Sequence, residues 1–216
     1  MAIDNVFAAG GIVMWPLLAF SILSFALILE RLLFWLRIAR RQNRLIREVL
    51  RLYRQNPGSA QAKLDKNADL PLCRIFLAAL ELDRPNPEEF RLALESASQA
   101  ELPLLKRFNT VFETVVSLSP LLGLLGTVLG LITSLASLQV GAVGGGDTTT
   151  VTAGISEALV STASGLVVAI FTLLFSNLFR GMYRRQIALI QEYGGQLELL
   201  YRRRYEEMGL TYANFG

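Results

Sequence analysis

Residues 119–169 constrain this chain more than any other stretch. Two apolar segments, SPLLGLLGTVLGLITSLASL at 119–138 and TAGISEALVSTASGLVVAIF at 152–171, flank a loop, GAVGGGDTTT, that holds no Lys or Arg. At ~1.5 Å of rise per residue each segment can cross a hydrocarbon core of ~30 Å, so the pair reads as two antiparallel membrane helices. Between Thr152 and Phe179 the only ionisable side chain is Glu157. A carboxylate near the membrane centre costs on the order of 2.5–3.5 kcal/mol on insertion scales, so a chain keeps one there for a reason.

An apolar content of 52% over 216 residues fits either a large soluble domain or a small membrane protein. The distribution decides, because the apolar residues fall in three long blocks with the charges between them. The single Cys73 and the absence of His exclude an internal disulfide, His-based zinc sites, Ser-His or Cys-His nucleophile pairs and histidine proton relays. All 21 Lys and Arg lie at or beyond Arg31, and none lies between 139 and 156. The positive-inside rule then predicts three spans, with the N-terminus and the hairpin loop outside and the C-terminus in the cytoplasm.

Residues 1–11 carry no basic n-region, so a cleavable signal peptide is not expected. The first span is predicted from about Ile12 to Trp35, with Trp15 and Trp35 at opposite interfaces and Glu30 and Arg31 snorkelling near its inner end. An amphipathic helix follows over 37–54, with Leu45, Val49, Leu52 and Tyr53 on one face and Arg on the other. Arg37, Arg40, Arg41 and Arg44 on it are topology signals that could also hold anionic lipid headgroups. Asn56-Pro57-Gly58-Ser59 breaks this helix, a second soluble helix covers 71–82, and Asn86-Pro87-Glu88-Glu89 caps the start of a third.

The third helix carries Phe90, Leu94, Ala97 and Leu104 at helical spacing, and from Leu104 to Leu138 a continuous helix of ~35 residues, or ~50 Å, is predicted to project beyond the hydrocarbon. Pro120 within it calls for a kink or local adjustment. Past the third span, Arg180, Arg184 and Arg185 mark the inner boundary. Ile187, Ile190, Leu197 and Tyr201 then continue an apolar stripe toward Arg202-Arg203-Arg204. In the loop, Asp147 and Thr148 to Thr150 are expected to cap the third span, with a cation site as the alternative, and Gly144-Gly145-Gly146 lacks the Lys of a phosphate loop.

Ser119, Gly123, Thr127, Gly130 and Ser134 form one small, weakly polar stripe on the second span. Gly154, Ala158, Ser161, Thr162, Gly165 and Ala169 do the same on the third. Small residues at this spacing let helices approach closely, and Gly126-x-x-x-Gly130 is an instance of that packing motif. Counted from the loop, Thr127 and Thr162 fall at similar depth, roughly 15 Å in, and Glu157 lies a turn and a half nearer the outside. Apolar surroundings favour the neutral form of a carboxyl group, which can take up and release a proton. A hydroxyl layer beneath an acidic group is a plausible path for protons or small cations.

At these residues the chain resembles the MotA/TolQ/ExbB proton channel family, and most closely its ExbB and TolQ branch. The likeness rests on SPLLGLLGTVLGL at 119–131, GISEALVSTASGLVVAI at 154–170, the three spans and the large segment between the first two; the stator branch has a fourth span. The resemblance implies an all-α, multi-pass protein of the bacterial inner membrane, with its N-terminus periplasmic and its C-terminus cytoplasmic. Two of its spans would extend into a cytoplasmic helical bundle. It implies a homopentamer around the membrane helices of an ExbD- or TolR-like single-span partner that supplies an Asp. Thr127 and Thr162 match the family's pore-facing threonines and Glu157 its intramembrane glutamate; Gly123, Gly126, Gly130, Gly154, Ser161 and Gly165 are the helix-packing or partner-facing set. The implied function is conversion of the proton motive force into work through a TonB-like protein for outer-membrane import, or through a TolA-like protein for envelope maintenance. No cofactor, metal or nucleic acid is implied. Ser at 161 and 164, where relatives often carry Ala, leaves selectivity between protons and sodium open.

The layout expected is an N-terminal stub and first span over 1–36, a cytoplasmic helical segment over 37–107, the second span over 108–138, a periplasmic loop over 139–151, the third span over 152–180 and a cytoplasmic helix over 181–216. Two other function classes compete. An intramembrane hydrolase built on Ser161 or Ser164 lacks an embedded His or Lys base. A passive scaffold accounts for the glycines and leaves Glu157 without a purpose.

Overall fold

The computed structural model describes residues 10–141 and 148–209. Every regular element among them is an α-helix: α1 (Met14–Gln55), α2 (Pro57–Asp65), α3 (Pro71–Leu80), α4 (Pro87–Leu105), α5 (Asn109–Gly141) and α6 (Thr148–Glu207). Three stretches are long and apolar enough to cross a membrane, Met14–Gln55, Pro87–Ser137 and Val151–Glu207, with mean hydropathies of 2.1, 2.1 and 2.2. Ile22, Phe25, Leu124, Leu159, Ile170 and Leu174 are among many large apolar side chains left exposed. Water would penalise such a surface and lipid would not. Gly144 to Asp147 lie outside the described residues, as do the side chains of Thr148 to Thr150, so the expected cap falls there.

The chain forms two compact units, each assembled from separated stretches: the described residues of Met1–Arg31 with Phe108–Phe179, and of Leu32–Arg107 with Arg180–Gly216. In the first, Val13, Met14 and Leu17 at the start of α1 form a buried cluster against Leu122 of α5.

The second unit is a helical assembly with a largely apolar core. Ile38, Gln42, Ile46, Val49, Leu50 and Tyr53 line the buried face of α1. Leu45 and Leu52, expected there, are only half-buried. The true face repeats at 38, 42, 46, 49 and 53, which is closer to the 3.6-residue period than the set inferred from apolar residues alone. Its facing stripe on α6 is Gln186, Ile190, Tyr193, Leu197 and Tyr205. Gln42 and Gln186, both buried, exchange amide hydrogen bonds of 2.9 and 3.1 Å, so neither is left with an unpaired amide. The Tyr201 ring stacks on Phe90 at 4.0 Å, and its hydroxyl donates to the Pro85 carbonyl at 2.5 Å.

Several expectations need correction. The helix predicted from Leu104 to Leu138 is interrupted. α4 ends at Leu105 and α5 starts at Asn109, because Phe108 adopts φ 66°, in the left-handed region that a helix cannot contain. Its carbonyl accepts from Phe112 N–H at 3.0 Å and so starts α5 afresh. Pro103 lies inside α4 and does not end it. Asn56 ends one helix and caps another: its side chain accepts from Ser59 N–H at 3.3 Å, Pro57 takes the first turn, and Ala60 and Leu64 are buried. The helix at 71 stops at Leu80, short of the exposed Leu82.

Burial differs from expectation as well. Leu104 is 50% exposed, and Glu101 occupies the core position in its place at 7%. Arg74 explains this by donating to both Glu101 oxygens at 2.6 Å and to the Ala68 carbonyl at 2.8 Å. Trp35 and Arg31, expected at an interface, are 4% and 3% exposed, whereas Trp15 is 69% exposed. The cap at the third soluble helix is as expected, with Asn86 accepting from Glu88 and Glu89 N–H and the Glu89 carboxylate accepting from Asn86 N–H.

Candidate hydroxyl seam of the hairpin

α5 and α6 meet along the two small-residue stripes. Ser119, Gly123, Gly126, Gly130 and Ser134 of α5 are buried, as are Gly154, Ala158, Ser161, Gly165 and Ala169 of α6. A Cβ placed on Gly165 would lie 2.5 Å from the Ser119 carbonyl oxygen, and one on Gly130 would lie 2.6 Å from the Gly154 carbonyl oxygen. On Gly126 it would strike Ser161, on Gly154 the Ser134 hydroxyl, and on Gly123 it would be 3.0 Å from Thr162 Cα. Backbone therefore lies against backbone, a separation that only glycine permits at these positions.

Such close approach brings hydroxyls onto carbonyls of the opposing helix. The Thr162 hydroxyl donates to the Gly123 carbonyl at 2.9 Å, and the Ser134 hydroxyl reaches the Val151 carbonyl at 3.1 Å. Thr127 and Thr162, placed at one depth by residue counting, have their Oγ1 atoms 3.2 Å apart. Thr127 Oγ1 also lies 2.7 Å from the Leu124 carbonyl, to which it donates. Both threonines are half-buried, with part of each side chain reaching the surface of the seam. Each hydroxyl has a single proton, so one of the two must turn it away from its helix carbonyl for the pair to hydrogen-bond, and a hydroxyl that can turn in this way can take up and pass on a proton at that point.

Glu157 lies five residues before Thr162 on α6, roughly 7 Å along the helix axis. It is half-buried, and its carboxyl group sits directly over the Cα of Gly11, where a Cβ would collide with it. Gly11 has φ 67°, so it is glycine for two reasons, its backbone conformation and the carboxyl group above it. Sequence reasoning missed this residue, although the Gly10-Gly11 pair ahead of the first helix was a visible signal. It also missed Thr172 and Ser176, which are buried on α6 and prolong the polar stripe past Ala169 at the same spacing.

The basic residues of α1 divide. Arg37, Arg40 and Arg44 are exposed, whereas Arg41 pairs with Asp69 at 3.0 Å and with the Asn67 amide oxygen at 3.0 Å. Among the described residues no three His, Cys, Asp or Glu side chains converge as metal ligands do. Cys73 is buried, and the loss of solvent, aided by the nearby Asp69 carboxylate, pushes its thiol up to about 12.

The profile described as the MotA/TolQ/ExbB proton channel family matches residues 67–192. A Synechocystis sp. (strain PCC 6803) protein named for biopolymer transport, ExbB-like 3, is 63% identical over 92% of this chain and 95% of its own length. A second Synechocystis protein, ExbB-like 1, is 39% identical over 91% of this chain and 78% of its own. An ExbB homologue from Methanothermobacter thermautotrophicus is 26% identical over 87% of this chain and 66% of its own length.

Proposed function

Because the chain belongs to the MotA/TolQ/ExbB proton channel family, we propose that it is the channel subunit of an inner-membrane motor. With an ExbD-like single-span partner it converts the proton motive force into mechanical work for TonB-dependent import across the outer membrane. The observation that carries this reading is the pair of hydroxyls, Thr127 and Thr162, 3.2 Å apart in an apolar hairpin that also holds Glu157. A passive scaffold needs the glycines and has no use for that hydroxyl pair or the carboxyl group near it. The names of the two Synechocystis relatives support the ExbB branch over the TolQ branch.

In this role Glu157 receives protons from the outside and passes them to the Thr127–Thr162 layer, and the partner's carboxylate takes them on. In this reading the N-terminus is periplasmic and the C-terminus cytoplasmic, an orientation that the distribution of Lys and Arg supports. Five copies enclose the partner, and the small-residue seam sets how closely the hairpins pack around it.

Glu157→Gln keeps the shape of the side chain and removes its titration, so the variant should assemble normally and lose most energised import. Import at the parental rate would refute the assignment. Thr127→Val, which keeps size and removes the hydroxyl, should lower proton flux in vesicles holding this chain and its partner.

A further inference from the structure

Beyond the proton path, the second unit contains a pocket with a marked excess of positive charge. Its cavity, ≈ 160 Å³, is lined by Tyr53 and Arg54 from the end of α1 and by Leu200, Arg203, Arg204 and Glu207 from the end of α6. None of the three guanidinium groups makes a hydrogen bond or ion pair with another described residue, although Arg202, next in sequence, pairs with Glu198 and Arg41 with Asp69. The Tyr53 side chain is 3% exposed, and its hydroxyl likewise has no hydrogen-bond partner among the described residues. Tyr53 lines the cavity, so its hydroxyl is a donor available at a cationic wall.

Three guanidinium charges against the single carboxylate of Glu207 leave a surplus of two. A carboxylate ligand would neutralise one of these. A phosphate group carries about −1.5 to −2 at neutral pH and offers oxygens in several directions, which suits a cavity lined by three arginines and one phenol. We propose that Tyr53, Arg54, Arg203 and Arg204 form a binding site for the phosphate group of a small anion. Burial and the neighbouring Tyr201 push the Tyr53 hydroxyl up to about 12, so it is a donor throughout the physiological range.

The test is titration of the detergent-solubilised full chain with inorganic phosphate at fixed ionic strength, read as thermal midpoint and as heat of binding. Saturable binding is expected, absent with chloride. Tyr53→Phe should weaken it roughly ten-fold, the worth of one hydrogen bond to a charged group. Arg203→Gln with Arg204→Gln should abolish it, with the unliganded midpoint little changed because neither guanidinium group makes a hydrogen bond or ion pair with another described residue. Reconstitution into phosphatidylcholine discs with and without phosphatidylglycerol separates the sources. If phosphatidylglycerol alone gives the Tyr53-dependent shift, a lipid headgroup is the phosphate donor; if only free phosphate gives it, the ligand is soluble. No shift with either probe, or shifts that survive both the Tyr53 and the double Arg substitutions, would overturn the proposal.

Discussion

At the scale of single residues, Gly11 and Cys73 make the sharpest tests. Gly11 holds a positive φ beneath the Glu157 carboxyl group. Gly11→Ala should therefore introduce strain of about 1–2 kcal/mol and push the carboxyl aside. The expected result is reduced proton flux from vesicles containing the proposed partner, with the amount of membrane-inserted protein unchanged; unaltered flux would separate Gly11 from the proposed proton path. Cys73 should resist alkylation at pH 9, where an ordinary thiol is already reactive, and label rapidly once denaturant opens the fold. Since folding holds the thiol protonated, its contribution to stability is complete below the ordinary thiol range and fades as pH rises from about 9 toward 12. Glu157 itself was legible in the sequence because a lone carboxyl group in an apolar run has few explanations. The burial of Glu101 was not, since it depends on Arg74, a partner 27 positions away.

At the scale of elements, the hairpin seam was readable because small residues at three- and four-residue steps can only face a neighbouring helix. Residue counting alone brought Thr127 and Thr162 to one level. The breaks were harder. Asn-Pro reads as the end of one helix or the start of another, and before Pro57 it is both. The interruption before α5 rests on the φ of Phe108, which no pattern of apolar residues encodes. Gly165→Ala should cost about 1–3 kcal/mol, because the added methyl meets the Ser119 backbone and the helices must part. Loss of heat stability in detergent measures this, and a neutral effect would show that the seam is looser than described. Asn86→Ala should cost about 1 kcal/mol through loss of the capping box. Gln186→Leu strands the buried Gln42 amide and should cost about 1–3 kcal/mol, whereas Gln42→Leu combined with Gln186→Leu should restore most of the loss.

At the scale of the whole molecule, each unit is assembled from two separated stretches of the sequence, a pairing that spans and loops alone do not specify. The layout read from the sequence named a cytoplasmic helical segment over 37–107 and a cytoplasmic helix over 181–216, with two spans extended into a helical bundle. The contacts unite Leu32–Arg107 with Arg180–Gly216, since the α6 stripe completes the core that α1 and α4 begin. A fragment holding only residues 32–107 should therefore fail to show cooperative unfolding; a sharp melting transition from it would contradict the description. The same interleaving imposes a schedule on biosynthesis. When Arg107 leaves the ribosome, Phe90 has no Tyr201 to stack on and Gln42 no Gln186, and 72 residues (108–179) must still be made before Arg180 appears. At the usual ~5–20 residues per second that wait lasts on the order of ten seconds. Over that interval the nascent chain carries bare apolar faces in a crowded cytoplasm, so the risk of aggregation is greatest before its last helix has been translated.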